Sequence, residues 1–155
     1  MKKRIKIKND KGFSLVELLV VMAIMAILVG AIAPQVNKYV EKSRESRDLQ
    51  LVSTVFTAVQ TGIATSEKPV GVIDHKPLGN LLDTYTEFST ETKNEIKDLL
   101  GPDLDQDSDF KDKCLSKKGH DGTLYVDYTE AGKLSVYISK SGNMNNADNI
   151  GPVTN

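Results

Sequence analysis

Two hydropathy patterns follow one another along the chain. From Phe13 to Ala33 every position except Ser14 and Glu17 is apolar or glycine. That is roughly the 20 residues a helix needs to cross a bilayer's hydrocarbon core. Beyond Pro34 the pattern turns amphipathic. Leu49, Val52, Phe56, Val59 and Ile63 recur at steps of 3, 4, 3 and 4, one face of a helix that Leu51 and Val55 widen. The stretch from Glu41 to Asp48 reads as a solvated segment with charges at helical spacing. A helix from Phe13 to about Thr65 is therefore predicted. Gly30 and Pro34 mark where it is expected to bend or lose helical structure, because a proline inside a helix removes a donor and clashes with the preceding turn.

The remainder is mixed. Ser66-Glu67-Lys68-Pro69, Gly71, Lys76-Pro77 and Gly79-Asn80 are turn signals that make 66–89 a loop region, with one helical turn at Leu78–Asp83. A short helix opening at Thr90, capped there or at Ser89, carries Ile96, Leu99 and Leu100 and stops at Gly101-Pro102, so that 84–102 reads as a lid. Thr123–Thr129 and Leu134–Ser139 flank the connection Glu130-Ala131-Gly132-Lys133, the pattern of a β-hairpin. Leu124, Val126 and Tyr128 share one face of its first strand, and Leu134, Val136 and Ile138 one face of its second. Those faces can cover the helical stripe. Two strands alone are marginal, so a third is sought in Pro69–Asp74, while the Asn- and Gly-rich tail from Ser141 to Asn155 reads as surface loop. The predicted class is α+β: a long N-terminal helix, apolar then amphipathic, on a small antiparallel sheet.

Charge gives the chain a direction. The leader holds Lys2, Lys3, Arg4, Lys6, Lys8 and Lys11 against Asp10 alone; of 20 basic and 21 acidic residues this leaves 14 and 20 in residues 13–155, a net of −6. The basic end is cytoplasmic under the positive-inside rule and the acidic remainder lies outside. An acidic exported part argues against nucleic-acid binding through net charge. A secretory signal peptide cut after Ala31-Ile32-Ala33 is disfavoured, since Pro34 follows and the apolar run is too long. An unprocessed signal anchor leaves Gly12-Phe13 and Glu17 unexplained. A carboxylate inside such a run is costly, which asks for a partner.

Lys11-Gly12-Phe13-Ser14-Leu15-Val16-Glu17-Leu18-Leu19-Val20-Val21 resembles the processing signal and helix start of type IV pilins and pseudopilins. The resemblance covers roughly residues 1–65. It implies cleavage between Gly12 and Phe13 by a prepilin peptidase, N-methylation of Phe13 and an assembly role for Glu17. It further implies the pilin fold: residues 1–12 a cleaved leader, 13–35 a transmembrane and filament-core helix, 36–155 a globular head. The expected protein is a structural, non-enzymatic subunit, a major pilin, held in the bacterial cytoplasmic membrane and then polymerised with its own copies by the assembly machinery into a surface pilus. A pseudopilin of a type II secretion or DNA-uptake machine is the alternative. A membrane-anchored binding domain that does not polymerise is a third reading.

Other chemistry is sparse in the sequence. His75, His120 and Cys114 show no spacing for metal ligation or nucleophilic catalysis, so no cofactor is expected. Asp103, Asp105, Asp107 and Asp109 alternate as calcium ligands can, but Ser108 and Cys114 stand where such a loop needs glycine and glutamate. A solvated acidic loop is the expectation there. A single cysteine excludes an intramolecular disulfide, a departure from many pilins, and Cys114 is expected to be buried.

Overall fold

The computed structural model describes residues 13–102, 104 and 107–155, with backbone alone at 107–109. Helix α1 runs from Leu15 to Thr65, and the chain divides into two compact units between Tyr39 and Val40. In the first unit the helix is continuous through Gly30 and Pro34. Its apolar side chains are exposed all round, and none of its most apolar window is buried. Length and composition suffice for this segment to cross a membrane.

The second unit is an α+β fold. After α1 come β1 (Ile73–Pro77), α2 (Leu78–Asp83), α3 (Thr90–Leu100), α4 (Asp107–Lys113), α5 (Lys117–Asp121), β2 (Thr123–Tyr128), β3 (Leu134–Ser139) and β4 (Ile150–Thr154). The strands pair antiparallel in the order β1-β2-β3-β4. Val52, Val55, Phe56 and Val59 of α1 form one buried cluster with Leu124, Val126, Leu134, Val136 and Ile138, the hairpin faces predicted from alternation. Burying side chains of this kind contributes about 1.5–3 kcal/mol each.

Several expectations need correction. Leu49 is exposed, and the buried line is Asp48, Val52, Val55, Val59 and Gly62, at steps of 4, 3, 4 and 3. The third strand begins at Ile73 and runs into Lys76-Pro77, because an edge strand tolerates a proline at its end. The tail is not all loop. Ile150 pairs with Ile138 and Val153 with Val136, forming an edge strand whose Gly151-Pro152 hides it from a β-propensity reading. Residues 84–102 are no lid either: Ile96 and Leu100 are core, and a Cβ built on Gly62 would lie 2.4 Å from Ile96 Cγ1, so only glycine lets α1 and α3 approach this closely. The acidic run is in part helical, from Asp107 to Lys113, rather than loop throughout.

Most consequential is Asp48, which is not solvated but fully buried. Its Oδ1 accepts from the Leu115 amide and its Oδ2 from the Ser116 amide, each at 2.9 Å, and Oδ2 also accepts from the Ser116 hydroxyl. One turn and two turns earlier on the same face, Glu45 lies 3.4 Å from Lys118 Nζ and Glu41 accepts from the Lys117 amide at 2.7 Å. Ser116 caps α5 by accepting from the Gly119 amide, and a Cβ on Gly119 would stand 2.5 Å from Asp48 Oδ2. Asp48→Ala strands three donors at a buried position and should lower stability by roughly 2–4 kcal/mol. Asp48→Asn, whose amide hydrogens would face donors, should lose nearly as much; denaturant melts of the full chain in mild detergent check both.

Candidate processing and assembly site

The site predicted from the sequence begins where α1 begins. Ser14 precedes the helix, and its hydroxyl accepts from the Val16 amide at 3.3 Å while Glu17 Oε2 accepts from the Ser14 amide at 3.0 Å. This is a close variant of the capping box, the Ser-x-x-Glu pattern, in which the Ser14 hydroxyl takes the Val16 rather than the Glu17 amide; two amides that the first turn leaves open are satisfied. Glu17 also lies in the first turn, where the helix macrodipole favours negative charge. The signal for this cap is the four residues Ser14-Leu15-Val16-Glu17 themselves, masked by the apolar run in which they stand. Phe13 is 96% exposed, one residue before the cap. Gly12 lies outside the described residues. Gly30 and Pro34 are both exposed on the helix.

Of the calcium candidates, Asp103 and Asp105 lie outside the described residues, and Asp107 and Asp109 belong to the backbone of α4. The histidine reading changes more. Between Ile73 and Lys76 the register of β1 slips against β2, so three steps on one strand match two on the other. His75 occupies this bulge with φ +48°, and its amide donates to Asp127 Oδ1 at 2.6 Å. Its Nδ1 lies 2.5 Å from Asp74 Oδ1 and 3.3 Å from Asp127 Oδ1. Asp127 is only 6% exposed, and its Oδ2 is buried without a hydrogen-bond partner. Nearby, the Tyr137 ring stacks on its cross-strand neighbour Tyr125 and meets His75 edge-on, and its hydroxyl donates to the Gly142 carbonyl at 3.0 Å. Burial, then the Asp127 carboxylate, pushes the Tyr137 phenol above its ordinary range. Sequence spacing could not join His75 to a carboxylate 52 residues away. His120 lies in α5 and is exposed.

Comparison with known proteins bears on the first of these sites. Residues 7–33 match the prokaryotic N-terminal methylation motif. The chain is 36% identical over 59 residues to the type IV major fimbrial protein FimA of Dichelobacter nodosus, which covers 38% of this chain and 37% of that one. It is 35% identical over 63 residues to a fimbrial protein of Pseudomonas aeruginosa, 41% of each. A longer, weaker similarity, 26% over 153 residues, covers 86% of this chain and 96% of the type IV major alpha-pilin of Moraxella bovis. The chain thus spans well under half the length of the first two relatives. No solved structure matches it. The methylation motif thus falls on the start of a long apolar helix that an α+β unit follows. The chain carries this motif and is similar in sequence to proteins described as type IV fimbrial proteins and pilins.

Cys114 is buried, as expected, and burial followed by the Asp48 carboxylate pushes its thiol up to about 12. The thiolate is the reactive form, so at pH 8 labelling by iodoacetamide should run roughly a thousandfold slower than for a free cysteine and recover in denaturant. Because the folded-state value is raised, the folded chain holds this proton longer than the unfolded one. Stability should be insensitive to this group below about pH 8 and should fall as pH rises from about 9 toward 12. Alkylation rates and melts across that range read both effects.

Proposed function

We propose that this chain is a major pilin: a prepilin cut between Gly12 and Phe13, methylated on Phe13, and polymerised with its own copies into a surface filament. The observation that carries the reading is the methylation motif at 7–33 opening a helix whose apolar side chains are exposed on every side. Such a surface requires lipid before assembly and neighbouring helices after it. Residues 1–12 are then the leader, 13–35 the membrane and filament-core helix, and 36–155 the head. The relatives described as major fimbrial proteins favour a major over an accessory subunit. Loosening of α1 between Gly30 and Pro34 on assembly belongs to the same reading. A prepilin peptidase, a methylating activity and the assembly machinery are the implied partners, with the cytoplasmic membrane and then the cell surface as locations.

Glu17 has two tasks in this account. As the fourth member of the capping box it starts the helix, and as a carboxylate it can pair with the amine that cleavage creates at Phe13, in its own or a neighbouring subunit. The amine stays mostly protonated near neutral pH, and pairing lowers the cost of both charges in an apolar surrounding. Glutamine separates the tasks, because it serves the cap equally well but carries no charge. Cells whose sole copy is Glu17→Gln or Glu17→Val should process the leader normally and make no filaments. Normal filaments from Glu17→Gln alone would leave only the capping role, and loss of secretion or DNA uptake on deletion, without visible pili, would favour the pseudopilin reading. Gly12→Val places a branched side chain at the scissile bond and should leave the chain unprocessed by mass spectrometry.

A further inference from the structure

We infer that Asp74, His75 and Asp127 form a binding site for a divalent transition-metal cation of the zinc class on the second unit. One ligand atom from each residue lies within 4.8 Å of the other two. Donors bound to zinc at about 2.0–2.2 Å stand at most twice that distance apart, so small side-chain adjustments bring the three within the span of one ion. His75 Nδ1 faces both carboxylates at once, through Asp74 Oδ1 and Asp127 Oδ1. The bulge in β1 produces this convergence: an unslipped strand would pair the His75 amide in the ladder, whereas here it is held by Asp127.

A second, independent observation points to a cation. Asp127 lines a cleft of about 630 Å³ together with Asp74 and His75, and its side chain is more than nine-tenths buried. Yet Oδ2 is buried with no hydrogen-bond partner, and the nearby Tyr137 hydroxyl donates to the Gly142 carbonyl. Buried carboxylate oxygens are ordinarily hydrogen-bonded or bound to a metal. The ligand set selects the ion class: one imidazole nitrogen with carboxylate oxygens suits zinc, cobalt or manganese, while calcium takes oxygen alone and has no use for the ring. Asp74 is 83% exposed in its side chain, so it can swing from its contact with Nδ1 onto an ion without disturbing the core. Glu130 and Lys133 line the same cleft.

The rival is a purely protonic cluster, with the imidazole proton shared between two carboxylates. Full-length chain in detergent micelles, free of any affinity tag and stripped with chelator, would be titrated with Zn²⁺ by calorimetry and with Co²⁺ by visible absorption. One ion per chain is expected, with an imidazole-dependent cobalt spectrum. Asp74→Asn, on an exposed side chain whose loss leaves the fold intact, and His75→Gln should each weaken zinc binding by about tenfold or more. Asp127→Asn should do so too, with circular dichroism checking that it still folds. Failure to take up either ion at micromolar concentration would overturn the proposal, as would unchanged affinity in Asp74→Asn and His75→Gln, or uptake of calcium but not zinc.

Discussion

The grip of one face of α1 on the segment from Leu115 to Lys118 is the constraint on which the second unit depends. Glu41, Glu45 and Asp48 present three carboxylates in successive turns, and the amides and ammonium of that segment meet them. Two of the three contacts are at or near the surface and contribute modestly. Asp48 is different, since a fully buried carboxylate is tolerable only while every donor around it is in place. The same grip sets where the hairpin starts. With α5 capped by Ser116 and ended at Gly122, β2 must begin at Thr123, and the inward faces of the hairpin then fall over the line that continues from Asp48 through Val52, Val55 and Val59.

How far the sequence discloses this fold depends on whether the signal is local. The helix Thr90–Leu100 with its Ser89 cap and Gly101 stop, the turn of helix at Leu78–Asp83 and the hairpin around Gly132 all announce themselves within a dozen residues, and all are found. Asp48 reads as solvated in the sequence because its neighbours Glu45 and Arg47 suggest solvent. Its position on the 4-3-4-3 line with Val52, Val55 and Val59 is the signal that places it inside. Nothing local betrays the meeting of His75 with Asp127, which only strand pairing and a bulge create. β4 is hard to see because glycine and proline occupy its centre, and an edge strand needs only one ladder. At the N-terminus the helix start is legible, while its capping role is written in the same four residues that carry the charge.

The two units answer to different rules of stability. In the second, apolar groups are covered by the chain itself, and polar groups such as Thr92, Ser116 and Ser139 are buried beside hydrogen-bonding partners. The first has a helical backbone satisfied internally and almost nothing covering its side chains, a combination suited to lipid or to like helices and poorly suited to water. Folding of the second unit and burial of the first are therefore governed by separate surroundings. A change at Asp48 acts on one and a change at Glu17 on the other.

The margins of the sheet carry a different consequence. β1 is interrupted by a bulge with a left-handed residue at His75, and β4 holds Pro152, which has no amide to offer. An outer strand of either kind is a poor template for a visiting strand. Crowded side by side, copies of this unit would resist zipping edge to edge into cross-β aggregates, and lateral order among them would have to come from side-chain surfaces and helices. A chain whose first unit exposes so much apolar surface thus keeps the sheet of its second unsuited to runaway strand addition.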